Sequence, residues 1–85
     1  MKLYVGNISY KVDSDVLKAL FARFGEVVDA TIILDRETGK SKGFGFVTMK
    51  NTEDGHKAIK GLDGENFNQR TLVVEEATGK PNRRR

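Results

Sequence analysis

Few residues in this chain have the type and spacing for covalent or metal chemistry. The single histidine, His56, stands beside Lys57 on a helical stretch, and no Ser or Cys with an orienting carboxylate accompanies it, so a nucleophilic triad is not supported. There is no cysteine, and the carboxylates are scattered; a thiolate zinc site and a disulfide framework are excluded, and no metal or cofactor is expected. The acidic pairs Glu53/Asp54 and Glu75/Glu76 fit a helix first turn and a strand end, and an open sheet offers paired carboxylates no cleft. Gly43 and Gly45 lack the Lys-Ser/Thr ending and the strand-loop-helix setting of a phosphate loop. What remains is non-covalent chemistry: the rings of Tyr4, Phe44 and Phe46 with Lys2 and Lys42 beside them. Aromatic rings interleaved with cations can stack bases and meet the phosphates between them.

Whether those rings share a surface depends on the elements that carry them. Leu3-Tyr4-Val5 is a short β-prone run. Leu17, Leu20, Phe21 and Phe24 recur at i, i+3, i+4 and i+7, the spacing of an amphipathic helix capped by Asp13 or Ser14 and stopped at Gly25. Val27–Leu34 is a β-branched strand, Asp35–Lys42 a polar loop, and Phe44–Met49 a third strand. Asn51–Asp54 begins a second helix with Gly55, Ala58, Ile59 and Leu62 on one face. Thr71–Glu75 is a fourth strand, with a short extended piece near Phe67 before it. The order βαββαβ predicts an α+β, ferredoxin-like sandwich: a four-stranded antiparallel sheet with both helices on one face.

Strand alternation then divides the side chains. Leu3, Val5, Ala30, Ile32, Val47, Leu72 and Val74 form an aliphatic face that the helices can cover. Tyr4, Phe44, Phe46, Ile33 and Val73 fall on the other face, and nothing in the chain is left to cover them. An uncovered apolar patch on a small domain marks a contact surface. Base stacking is one use; a protein contact is a second. A register slip of one residue would instead turn the rings inward, although Gly43 and Gly45 would then leave the other side of that strand poor in bulk.

These residues resemble the RNA recognition motif family. Lys42-Gly43-Phe44-Gly45-Phe46-Val47-Thr48-Met49 matches that family's first ribonucleoprotein motif at six of its seven constrained positions. Leu3-Tyr4-Val5-Gly6-Asn7-Ile8 looks like the partner motif on the first strand, and Leu62-Asp63-Gly64 like the turn after the second helix. The resemblance covers residues 2–77, and in size the chain is similar to compact single-domain members of bacterial and glycine-rich type. It implies that Tyr4 stacks one base, Phe46 a neighbouring base, that Phe44 packs against the sugars and that Lys42 meets a phosphate. Ile33, Val73 and Glu75 would border the platform, and main-chain groups near Ala77 and Thr78 would help select bases. Three departures stand out: Met49 replaces the usual aromatic, at a position that alternation turns to the core; Gly55 replaces Ala in the second helix; and Gln69 replaces a turn Gly before Arg70. Tyr10 is an ordinary loop aromatic or an extension of the surface.

The formal charge is +3, but four of the 15 Lys and Arg residues lie in Thr78–Arg85, and the other 11 face 12 acidic residues. Residues 1–77 therefore form a near-neutral domain, and 78–85 a flexible basic tail, either a solubilising end or a phosphate-binding arm that includes Lys80. No apolar run approaches the roughly 18 residues of a membrane span, and Met1 is followed by a strand-like run instead of a secretory signal. The expectation is a non-catalytic, monomeric module that binds single-stranded RNA in the cytoplasm, for post-transcriptional regulation or RNA chaperoning, with single-stranded DNA and a nuclear location left open. The competing reading is a protein-interaction module of the same fold.

Overall fold

The computed structural model describes residues 1–77; the basic tail, Lys80 included, lies outside the described residues. Strand β1 (Lys2–Gly6) is followed by helix α1 (Ser14–Ala22), strands β2 (Val27–Leu34) and β3 (Ser41–Met49), helix α2 (Thr52–Leu62), a small hairpin of β4 (Asn66–Phe67) and β5 (Arg70–Thr71), and strand β6 (Val73–Glu76). The main sheet has the order β2-β3-β1-β6 with every pair antiparallel. The two strands that carry the aromatic motifs are thus central neighbours.

Helix α1 starts where the capping residue predicts. Asp13 is extended, and its carboxylate accepts from the Val16 N–H at 2.9 Å, satisfying one orphan donor of the first turn. Leu17, Leu20 and Phe21 are buried. The regular helix closes at Ala22, so Phe24, expected as its last apolar position, lies in the following turn and packs half-buried against the core. In α2, Gly55, Ala58 and Leu62 are buried. Gly55 is there for a close approach: a Cβ would collide with the Met1 sulfur and sit 3.1 Å from its Cγ. Met1 is held in place by a pair of backbone hydrogen bonds with Met49, both 2.7 Å, which extend the β1–β3 ladder.

The fourth strand of the sheet begins later than the sequence suggests. Thr71 belongs to the hairpin, paired with Asn66, while Leu72 is buried and bonds back to Gly64 and Glu65. Only from Val73 does the chain pair with β1. The cause is the two-residue turn Asn68-Gln69, both residues at positive φ (52° and 67°), which folds the chain on itself before it reaches the sheet. Asp63 ties the hairpin's base to the sheet by accepting from the Val74 N–H at 2.9 Å.

Leu3, Val5, Val47, Leu72 and Val74 are fully or almost fully buried under the helices, as is Met49. The register is therefore the one in which the aliphatic face is inward, and the slipped alternative is eliminated. Gly45 is fixed in that face by a close neighbour: a Cβ would strike the Thr31 carbonyl oxygen of β2. Two core residues, Ile8 and Val12, come from the loop after β1, where no periodicity marks them. Ile8 is held by a 2.8 Å bond from its N–H to the Gly43 carbonyl.

Candidate nucleic-acid interface

The outward face of the sheet is organised in rows set by strand register. One row runs across all four strands: Thr31 of β2 lies opposite Phe46 of β3, Phe46 opposite Tyr4 of β1, and Tyr4 opposite Glu75 of β6. A second row pairs Thr48 with Lys2, and a third pairs Gly6 with Val73. Period-two alternation puts Phe44 one step along β3 from Phe46 on the same side.

The three rings form one cluster. Tyr4 stands 5.9 Å from both Phe44 and Phe46 between centroids, and Phe44 is 6.3 Å from Phe46, with the two phenylalanines edge to face at 89°. These separations favour mutual aromatic attraction, so the rings are half-buried against one another and their orientation is preset. The helices pack on the opposite face, so none of the described elements covers the cluster. Tyr4 lies along its own strand, above Gly6: a Cβ there would sit 2.7 Å from the phenol oxygen and 2.9 Å from Cε2. Gly6 thus lets the Tyr4 ring lie low on the sheet.

The expected cations are in place at the rim. Lys2 holds its ammonium 4.8 Å above the Phe46 ring, a cation–π contact. Lys42 is exposed near the start of β3, just before Gly43, which adopts a φ of +88° inside the strand. Across the loop, the Asp35 carboxylate accepts from the Glu37 and Thr38 N–H groups at 2.8 and 3.3 Å. These bonds, with a smaller contribution from the Lys42 charge, hold the Asp35 carboxyl below its usual range. Ile33 is half-buried on the outer side of β2, and Val73 and Glu75 are exposed on β6. The structure therefore brings Tyr4, Phe44, Phe46, Lys2, Lys42, Ile33, Val73 and Glu75 to one face.

Sequence reasoning passed over four polar neighbours of this surface. Thr31 and Thr48 occupy the outer rows, the Thr31 hydroxyl donating to Asp29 at 3.4 Å. Asn7 and Arg70 meet beyond the end of β1, 63 positions apart in sequence. Alternation along β2 and β3 places the threonines on this face without marking them as contact residues, and nothing local to Asn7 or Arg70 announces their contact. Among the described residues no group of three or more His, Asp or Glu side chains gathers to hold a metal ion.

A family model described as RNA recognition motif matches residues 3–73. The chain belongs to this family. Among solved structures, the RNA recognition motif here is similar to the crystal structure of RNA binding protein PG1, with a TM-score of 0.90 and 44% identity over 95% of this chain and 98% of that one. It also superposes on the Rna15 RNA recognition motif with bound RNA (GU), at a TM-score of 0.82 and 26% identity, covering 91% and 82% of the two chains. The chain is 46% identical over 83 residues to the chloroplastic 29 kDa ribonucleoprotein A of Nicotiana sylvestris, covering 98% of this chain and 30% of that protein. It is 48% identical over 77 residues to the mitochondrial glycine-rich RNA-binding protein 4 of Arabidopsis thaliana, covering 91% of this chain and 57% of that one. The chain thus spans about a third to just over half of the length of these two relatives. Their names place them in organelles, and the cytoplasmic location expected from the sequence finds no support in them.

Proposed function

We propose that this RNA recognition motif is a non-catalytic, monomeric module for single-stranded RNA, in which Tyr4 and Phe46 each stack a base, and Phe44 packs on the sugars between them. The observation that carries the reading is the outward cluster of three rings at the centre of the sheet, with centroids 5.9 to 6.3 Å apart and no described element over it. Single-stranded RNA suits this surface because its unstacked bases can lie flat on rings and leave their edges free for polar contacts. Lys42 meets a phosphate. Lys2, already drawn to the face of Phe46, exchanges that ring for a phosphate when a base arrives. Ile33 and Val73 border the stacked bases, and Glu75, opposite Tyr4 in register, faces a base edge. Lys80 adds a further phosphate contact from the tail. The relatives named for RNA binding and the RNA-bound Rna15 domain support this reading. The biological role it serves is post-transcriptional regulation or RNA chaperoning.

The direct test is a nuclear magnetic resonance titration with a random single-stranded RNA pool, following the ring signals of Tyr4, Phe44 and Phe46. All three should shift. No shift at near-millimolar RNA would overturn the proposal and favour a protein partner for the ring face. A parallel titration with single-stranded DNA measures how far the 2′-hydroxyl matters; stacking alone predicts that DNA shifts the same three rings.

A further inference from the structure

Beyond the two stacked bases, we propose a phosphate-binding subsite for a third nucleotide, built by Arg70 with Asn7 and Tyr10 at the end of β1. It rests on the single-stranded RNA reading and extends the path of the strand past Tyr4.

Four observations carry it. First, Arg70 is held on two sides. A terminal guanidinium nitrogen donates to the Asn7 side-chain oxygen at 3.0 Å, while the guanidinium carbon lies 5.7 Å from the centroid of the Tyr10 ring. Second, Asn7 is itself pinned, its amide donating to the Thr71 carbonyl at 2.7 Å, next to Arg70. Third, Tyr10 is 71% exposed and does not belong to the core, so the ring under Arg70 has no packing role to explain it. Fourth, the arrangement opens onto the platform: Tyr4, Tyr10, Phe44, Asn7, Lys42 and Arg70 are among the residues that line one shallow concavity.

Arginine has five N–H donors in a planar fork, and here one bond goes to Asn7. No described carboxylate forms an ion pair with it; the ion pair among the described residues is Lys50–Glu26, at 3.8 Å. The guanidinium is thus oriented by a neutral partner and a ring, and it lines the concavity that the platform opens onto. A phosphate matches that fork, because two of its oxygens can accept side by side. An RNA strand leaving Tyr4 over Gly6 reaches this point next. Asn7 and Tyr10 are positioning residues; Arg70 makes the contact, and Lys42 lines the same concavity.

The test uses the full chain and a fluorescent random RNA octanucleotide pool, with affinity measured by anisotropy from about 50 to 200 mM salt. Removing one phosphate contact from a single strand flattens the dependence of log affinity on log salt by about 0.7. Arg70→Gln should show that flattening, so that its disadvantage relative to the unaltered chain shrinks about 2.6-fold across the salt range. Arg70→Lys keeps the charge and should restore the slope while binding more weakly than arginine, because the fork is lost. Tyr10→Leu should weaken binding less than Arg70→Gln and leave the slope in place. If Arg70 only braced the hairpin, Arg70→Gln would lower affinity equally at every salt concentration, and an unchanged slope overturns the subsite. Phe46→Ala is measured alongside. Weakened binding by Phe46→Ala with an unchanged Arg70→Gln slope removes the third-nucleotide site alone, whereas undiminished binding by Phe46→Ala removes the stacking platform on which it rests.

Discussion

On the proposed reading, Phe46 stacks a base from the centre of the sheet. Its ring lies on the outer row with Tyr4 and Thr31, while its strand neighbours Gly45 and Val47 are buried on the other side. Truncating it removes a stacking surface but opens no cavity under the helices. Phe46→Ala should therefore cost about 1–3 kcal/mol of RNA binding by calorimetry. The thermal transition should stay close to that of the unaltered chain, less the modest mutual attraction of the rings. Unfolding at ambient temperature would show that the ring is a core residue. The positions of the three rings were legible in the sequence because alternation is local: once Leu3, Val5 and Val47 are assigned inward, Tyr4 and Phe46 have no other side to take. Arg70 was not legible. Its partners Asn7 and Tyr10 lie some 60 positions earlier in loop conformations, and Asn7 adopts a φ of 57° that no periodicity encodes.

At the level of elements, helix starts, strand faces and the Asp35–Lys42 reversal were readable, and the β4–β5 hairpin was not. Asp13 announces α1 by its capping chemistry. The β4–β5 hairpin had no such marker, because Gln69 fills a position where glycine would have signalled the turn. Gln69 sits at φ 67°, a region that costs a residue with a Cβ about 1–2 kcal/mol. Glycine relieves that strain but loses about 0.5–1 kcal/mol through the greater freedom of the unfolded chain. The strain is the larger quantity, so Gln69→Gly should stabilise the domain by about 0.5 kcal/mol in urea denaturation, and a destabilised variant would contradict the turn geometry. The β2–β3 loop makes a separate prediction. Asp35 accepts two backbone N–H groups, which hold its carboxyl below the ordinary aspartate range. A depressed folded pKa means that the turn's stabilisation is fully present above the unfolded value and is lost as pH falls through the folded one. The Glu37 and Thr38 amide signals should accordingly stay constant down to about pH 4 and move together below it. In Asp35→Asn they should show no such acid transition.

For the molecule as a whole, the placement of charge decides how strongly the platform can hold RNA. Residues 1–77 carry a net charge of −1, yet the ring face has Lys2, Lys42 and Arg70 at its rim, with Glu75 and Asp29 among them. Such a face orients a strand but gains little from long-range attraction, since it carries charges of both signs and exposed charges are screened beyond a Debye length of about 8–10 Å. The tail is different: Lys80, Arg83, Arg84 and Arg85 stand within six residues with no acidic neighbour among them. Stacking is nearly independent of salt, while each phosphate contact adds about 0.7 to the salt slope, so the two contributions separate experimentally. Deleting residues 80–85 should flatten the slope for the random octanucleotide pool by about 0.7 for every tail cation that contacts a phosphate, and weaken binding most at low salt. It should leave the ring shifts of Tyr4, Phe44 and Phe46 at saturation unchanged, because the platform's geometry is set by the β1–β3 register and not by the tail. A slope that survives the deletion would assign the salt dependence to Lys42, Lys2 and Arg70 on the sheet face, and would make the tail a solubilising end.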